Sequence, residues 1–189
     1  PYFWAINKDK DLTINSRLFA TEHPLFLGEY RQAFKNSTLI SDFGYSEGYK
    51  SNSKKNIRSG DRSHLFARLN TTFNTNNTNE NNLELNLQQV SDKKYLKLYR
   101  IDSNLVNYET NTLENTIEFN HFNDENNLSL NLQTGIYRTL TDTYKDKYEY
   151  IIPDLSINKF ILSENYGYGN LQSNLKAVSY THLTLPTTP

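Results

Sequence analysis

Apolar and polar residues alternate along this chain, and the alternation recurs in one segment after another. In "LSLNLQTGIY", Leu128, Leu130, Leu132 and Ile136 alternate with Ser129, Asn131 and Gln133. In "LELNLQ", Leu83, Leu85 and Leu87 alternate with Glu84, Asn86 and Gln88. Leu65, Ala67, Leu69 and Phe73 alternate with Phe66, Arg68 and Asn70, and Ile117, Phe119 and His121 with Glu118 and Asn120. Successive side chains of an extended chain point to opposite faces, so each segment predicts a strand with one apolar and one polar face. Weaker alternation predicts further strands over 11–19, 25–34, 37–46, 150–161 and 166–177. The sum is about nine strands, each near the roughly 9–11 residues a tilted membrane-crossing strand needs.

The joints between these segments differ in length. "KNS" (Lys35 to Ser37) and "NDENN" (Asn123 to Asn127) are short and built of Asn, Asp and Ser, as tight turns prefer. "EGYKSNSKKNIRSGDRS", "SDKKYLKLYRIDSNLVNYETNTLEN" and "LTDTYKDKYE" are long, charged and rich in Tyr. Short turns alternating with long loops are the pattern of membrane barrels. No helical periodicity of useful length appears, and "NTNNTNENN" reads as a low-complexity hairpin tip.

Composition narrows the class. The mean hydropathy of −0.75 is low for a dry soluble core. Yet 14 Tyr and 10 Phe are too many aromatics for disorder. A barrel wall reconciles the two, because only alternate positions meet lipid while the others face a wet lumen. The expected fold is therefore all-β: part of an antiparallel up-and-down transmembrane β-barrel, drawn as an open curved sheet. A soluble β-sandwich is the competing reading. It needs two apolar inner faces, whereas several strands here offer Asn, Gln, Glu and Arg, which cannot fill a dry core without partners. A net charge of −1 offers no basic face for nucleic acid.

The chain has no Cys and no Met, and no signal peptide or run of about 20 apolar residues is visible. For an exported barrel, this predicts a true N-terminus upstream of Pro1. At the other end, "VSYTHLTLPTTP" (Val178 to Pro189) resembles a sequencing-adapter read translated in one frame. The expected organisation is a junction over 1–10, the barrel portion over 11–177, and a non-native tail over 178–189.

Chemistry-bearing motifs are scarce. His23, His64, His121 and His182 show no ligand spacing, so no metal site and no cofactor is expected. There is no nucleophile elbow and no phosphate loop, and Gly167 and Gly169 in "NYGYGN" read as bending positions within a strand. Asp9 with Asp11 and Asp124 with Glu125 lie in turns, where solvated charge is the ordinary role. Lys50, Lys54, Lys55, Arg58 and Arg62 form a basic loop that suits either solvent or anionic head groups, at about 1 kcal/mol per cation near such a surface.

The opening stretch, "PYFWAINKDKDLTINSRLF", resembles the junction leading into the barrel of the LptD family, outer-membrane proteins of lipopolysaccharide assembly. Pro1, Tyr2, Phe3, Trp4, Ile6, Asp11, Thr13, Ile14 and Arg17 carry the likeness. "LFLGEYRQ" looks like the family's second strand through Glu29, Tyr30 and Arg31, and "QQVSDKKYL" is similar to a later segment through Val90, Ser91, Asp92 and Tyr95. The resemblance runs from Pro1 to about Ala177.

The resemblance implies a non-enzymatic role. A jellyroll preceding the barrel receives lipopolysaccharide from a periplasmic bridge, and the lipid leaves sideways into the outer membrane through a lateral gate at the first strand. An LptE-like lipoprotein would plug the lumen. On this basis Pro1, Leu12, Ile14, Ser16 and Leu18 are the gate-strand residues. Glu84, Asn86, Gln88, Ser129, Asn131 and Gln133 are the polar lumen-facing set. Relatives carry a second proline where this chain has Ser16, and serine retains its backbone N–H. Open alternatives are another outer-membrane barrel (receptor, channel or barrel hydrolase) and a soluble β-rich carbohydrate-binding module.

Overall fold

The structure, a computed structural model, describes residues 1–20, 22–47, 60–74, 78–141, 147–163 and 167–180. Its strands are β1 (Tyr2–Asn7), β2 (Lys10–Arg17), β3 (Leu25–Ala33), β4 (Ser37–Ser46), β5 (Arg62–Phe73), β6 (Asn79–Val90), β7 (Thr112–Asn123), β8 (Leu128–Thr139), β9 (Tyr148–Ser163) and β10 (Gly167–Tyr180). They form one open antiparallel sheet whose order follows the sequence, with no crossover. The expected all-β antiparallel class is the observed one. The only helix among the described residues is α1 (Tyr95–Tyr99), inside a predicted long loop. Among the described residues no helix is long and apolar enough to cross a membrane, which says nothing about strands.

The strand beyond the expected nine is β1. The aromatic cluster, read from sequence as a junction, pairs with β2 from Tyr2 opposite Ile14 to Asn7 opposite Lys10, through a two-residue turn at Lys8 and Asp9. Its aromatic side chains suit a pleated surface. The strand β10 runs to Tyr180, so Val178, Ser179 and Tyr180 pair with Ile151, Tyr150 and Glu149. Residues 181–189 of the presumed non-native tail, His182 included, lie outside the described residues, as do 48–59 of the basic loop.

The chain divides into two compact units. The first contains Pro1–Leu69 and Asn86–Thr110. Here Leu12, Ile14 and Ser16 of β2 share a face with Tyr30, Gly28 and Phe26 of β3 and with Ser41, Phe43 and Tyr45 of β4. Tyr2 and Trp4 of β1 join them opposite Ile14 and Leu12. Phe26, Phe43, Tyr45, Tyr2, Trp4 and Ile14 are all exposed. The opposite face carries Asp11, Thr13, Asn15 and Arg17 beside Arg31, Glu29, Leu27 and Leu25. It is covered by the segment 91–110, whose Tyr95, Leu96, Ile101 and Val106 are buried.

The second unit contains Asn70–Leu85 and Asn111–Pro189. Register aligns its strands into rows. Phe119, Leu132, Leu155 and Leu175 stand side by side across β7 to β10, and Asn120, Asn131, Ser156 and Asn174 form the next row on the other face. Strand β9 contains one extra residue around Ile152 and Pro153, where the register slips against both neighbours. A bulge suits proline, which has no N–H to give to the ladder. The Asn123–Asn127 turn places Asn127 at φ 46°, a left-handed conformation that asparagine tolerates.

Two glycines test how rigid the faces are. A Cβ at Gly28 would lie 2.4 Å from the Phe43 ring, and one at Gly44 would lie 2.5 Å from the His64 ring. The Phe43 ring is exposed and can swing away, whereas His64 is held on both ring nitrogens. Gly44→Ala is therefore expected to cost about 1–3 kcal/mol as an overpacking change, and Gly28→Ala less. Denaturant unfolding of the two variants checks the order.

Candidate functional site

The polar faces hold the groups able to meet a ligand, and in both units those groups are paired with one another. In the second unit, Asn131 Nδ2 donates to Glu118 Oε1 at 3.0 Å and to Asn120 Oδ1 at 2.6 Å. Asn120 Nδ2 donates to the same Glu118 oxygen at 2.9 Å. Gln133 Nε2 donates to the Tyr137 hydroxyl at 3.0 Å, and Lys176 Nζ pairs with Asp154 Oδ2 at 2.9 Å. The face is a self-satisfied lattice of amides with embedded charge pairs. Such a surface exchanges bonds readily with water or hydroxyl-rich molecules.

Ser129, Asn131 and Gln133 project together from this face, as period two predicts. Ser129 is exposed, and the other two are half-buried. Glu84, Asn86 and Gln88 likewise share one face of β6. Asn86 Oδ1 accepts from Arg68 Nε at 2.9 Å, and Gln88 is buried. Thr72, Asn74, Asn82 and Asn120 border a shallow depression of about 410 Å³. His121, which also lines it, has Nδ1 engaged by Asn81 Oδ1 at 2.8 Å.

The gate-strand residues are placed differently from expectation in one respect. Leu12 and Ile14 are flanked by β1 on one side and β3 on the other, so this part of β2 is not a sheet edge. Ser16 pairs with Phe26 of β3. Pro1 precedes β1 and Leu18 follows β2; both are exposed.

Sequence reasoning missed one cluster. His64 Nε2 is bonded to Asp42 Oδ1, and its Nδ1 lies 2.9 Å from the Tyr95 hydroxyl. The carboxylate can only accept, so Nε2 carries a proton. In the neutral ring, Nδ1 then accepts from Tyr95. Phe66, assigned from sequence to a polar face, stacks on His64 with ring centres 4.5 Å apart and is fully buried under the same segment. Burial pushes the Tyr95 phenol well above its ordinary range, with Tyr99 and Asp42 adding to the rise. A phenol so held is a donor, not a nucleophile. The trio joins β4, β5 and α1, and its sequence separations of 22 and 31 leave no local signal.

Charge pairs complete the inventory. Arg62 Nη1 meets Asp92 Oδ2 at 2.7 Å, Arg31 Nε meets Asp11 Oδ1 at 3.0 Å, and His23 Nδ1 meets Glu47 Oε2 at 3.1 Å. Among the described residues, no group of three or more His, Cys, Asp or Glu is placed to hold a metal ion. No family model matches the chain, and no curated protein matches it.

The amide lattice makes a direct prediction. Asn131→Leu strips Glu118 and Asn120 of a shared donor while leaving the Glu118 carboxylate half-buried. It is expected to destabilise the chain by about 1–3 kcal/mol. Leu132→Ala, on the exposed face one residue away, is expected to cost less in equilibrium unfolding.

Proposed function

We propose that the chain is a wall segment of an outer-membrane β-barrel that passes lipopolysaccharide to the outer leaflet, as the resemblance to the LptD family implies. The observation that carries this reading is the two-faced register. Leu132 and Leu175 are exposed in one row with Phe119 and Leu155, while the adjacent row on the other face bears the bonded amides Asn120 and Asn131. A soluble sheet would cover such rows, because exposed contiguous apolar surface in water promotes association. In a bilayer the same rows contact acyl chains, and the polar rows face water.

Strand lengths support the same reading. The strands β5, β6, β7 and β8 each have 12 residues, close to what a tilted crossing requires. Exposed Tyr2, Trp4, Phe26, Phe43 and Tyr45 offer the aromatic surface found near head groups. The amide rows would guide the sugar part of the cargo through many weak, exchangeable hydrogen bonds, with no covalent step. An LptE-like lipoprotein plug and a periplasmic bridge reaching a jellyroll are the partners this role requires.

Photoreactive residues at Leu12, Ile14 and Ser16 in the full-length protein are expected to capture lipopolysaccharide. Immunoblotting for adducts checks this, and no adduct from any of the three positions would count against the gate role.

A further inference from the structure

An exposed aromatic ring breaks the alternation of β7. Bonds between side chains fix the faces here. His121 Nδ1 meets Asn81 Oδ1, and Asn123 Nδ2 donates to Asn79 Oδ1, so the odd-numbered residues of β6 and β7 share one side. The even-numbered residues share the other, where Glu80 and Asn82 of β6 accompany Asn120 and Phe122 of β7. Phe122 pairs with Ser129 of β8, in the row beyond the bonded Asn120 and Asn131, which places its ring on the amide face. Phe66, likewise out of step with its strand, is buried beneath segment 91–110, whereas Phe122 is 43% exposed.

The Phe122 ring is part of the wall of the depression of about 410 Å³, a volume within the range of ligand clefts. Thr72, Glu80, Asn82, Asn120 and Ser129 line it as well. Asn120 uses one amide hydrogen on Glu118 and one oxygen lone pair on Asn131, which leaves it one donor and one acceptor. Asn82 Oδ1 is buried with no hydrogen-bond partner among the described residues, an acceptor that lacks a donor. The lining residues include no Lys or Arg, and Glu80 brings a carboxylate that is exposed.

A flat apolar ring edged by amides, hydroxyls and one carboxylate complements one face of a sugar ring. The C–H groups of a pyranose lie against the electron-rich face of the phenyl ring, and its hydroxyls reach the polar rim. A lining with negative charge and no cation disfavours phosphate or carboxylate substituents. We propose that the depression is a subsite for an uncharged hexopyranose. Phe122 is its stacking platform, Asn82, Asn120 and Glu80 bond the hydroxyls, and Glu80 turns away phosphorylated and acidic sugars. The subsite deepens the transport reading and rests on it for the source of the glycan: this part of the wall would hold neutral sugar units of a passing cargo and release charged ones.

Saturation-transfer NMR on the full-length protein, in a detergent without a sugar head group, tests the subsite. The probes are methyl glucoside, methyl galactoside and methyl mannoside, compared with glucose 6-phosphate. At least one glycoside is expected to bind about tenfold more tightly than glucose 6-phosphate. Phe122→Ala is expected to weaken that glycoside about fivefold, and Phe122→Trp to restore it. Glu80→Gln is expected to narrow the preference over glucose 6-phosphate, which a merely structural role for Glu80 would leave unchanged. Both side chains are exposed, so these variants are expected to keep the fold. Binding of no glycoside, equal binding of glucose 6-phosphate, or undiminished binding by Phe122→Ala would overturn the proposal. Photocrosslinking at Leu12, Ile14 and Ser16 reads the transport role separately. Adducts there without glycoside binding strike the subsite alone, and glycoside binding without adducts upholds the subsite and strikes the transport reading.

Discussion

Side chains of a strand alternate between faces, so slipping any hairpin by one residue would exchange its apolar row for its amide row. That constraint organises this molecule. Phe119, Leu132, Leu155 and Leu175 align only because three consecutive hairpins keep the same parity. Where β9 carries its extra residue near Pro153, the slip occurs against both neighbours at the same place, and the rows on either side of the bulge remain matched. The tight Asn123–Asn127 turn sets the parity between β7 and β8, and the bonded amides on the polar face penalise any other register. The same alternation explains how a chain of low mean hydropathy can present rows of exposed leucine.

The first unit adds a second principle, burial without a second sheet. Its core is made where the segment 91–110 lies on the polar face, burying Tyr95, Leu96, Ile101 and Val106. Several polar residues beneath it find partners: His64 in Asp42 and Tyr95, Arg62 Nη1 in Asp92, Glu29 in Asn104. Groups buried in this way would be costly without partners. The aromatic face of the same strands needs no such cover in a bilayer, and nothing in its chemistry would hold it dry in water. On the proposed reading, a bilayer covers that aromatic face.

Much of the sheet was legible because period-two patterning is a local signal. The leucine and amide alternations at 83–88 and 128–136 lie inside β6 and β8, with the faces assigned from sequence. What escaped was everything set by distant contact. The aromatic cluster at Tyr2–Trp4 has too few residues to alternate visibly, and its strand character comes from pairing with β2. Phe66, which the alternation places with Arg68 and Asn70 on the polar face, is fully buried in contact with His64 beneath the segment 91–110. The Asp42–His64–Tyr95 trio joins residues from three elements and has no spacing to read. The basic residues Lys50, Lys54, Lys55 and Arg58 lie outside the described residues, so only Arg62 of that loop has a place, paired with Asp92.

The central claim is that the leucine rows face lipid and the amide rows face water. This chain has no Cys, so single cysteines introduced at Leu132 or its neighbour Asn131 carry spin labels in liposome-reconstituted full-length protein whose other cysteines, if any, are replaced. Collision with dissolved oxygen, which concentrates in the bilayer, is compared with collision against a water-soluble nickel chelate. The account predicts that the label at Leu132 favours oxygen and the label at Asn131 favours nickel. Nickel-dominated accessibility at Leu132, or the same preference at both positions, would contradict it.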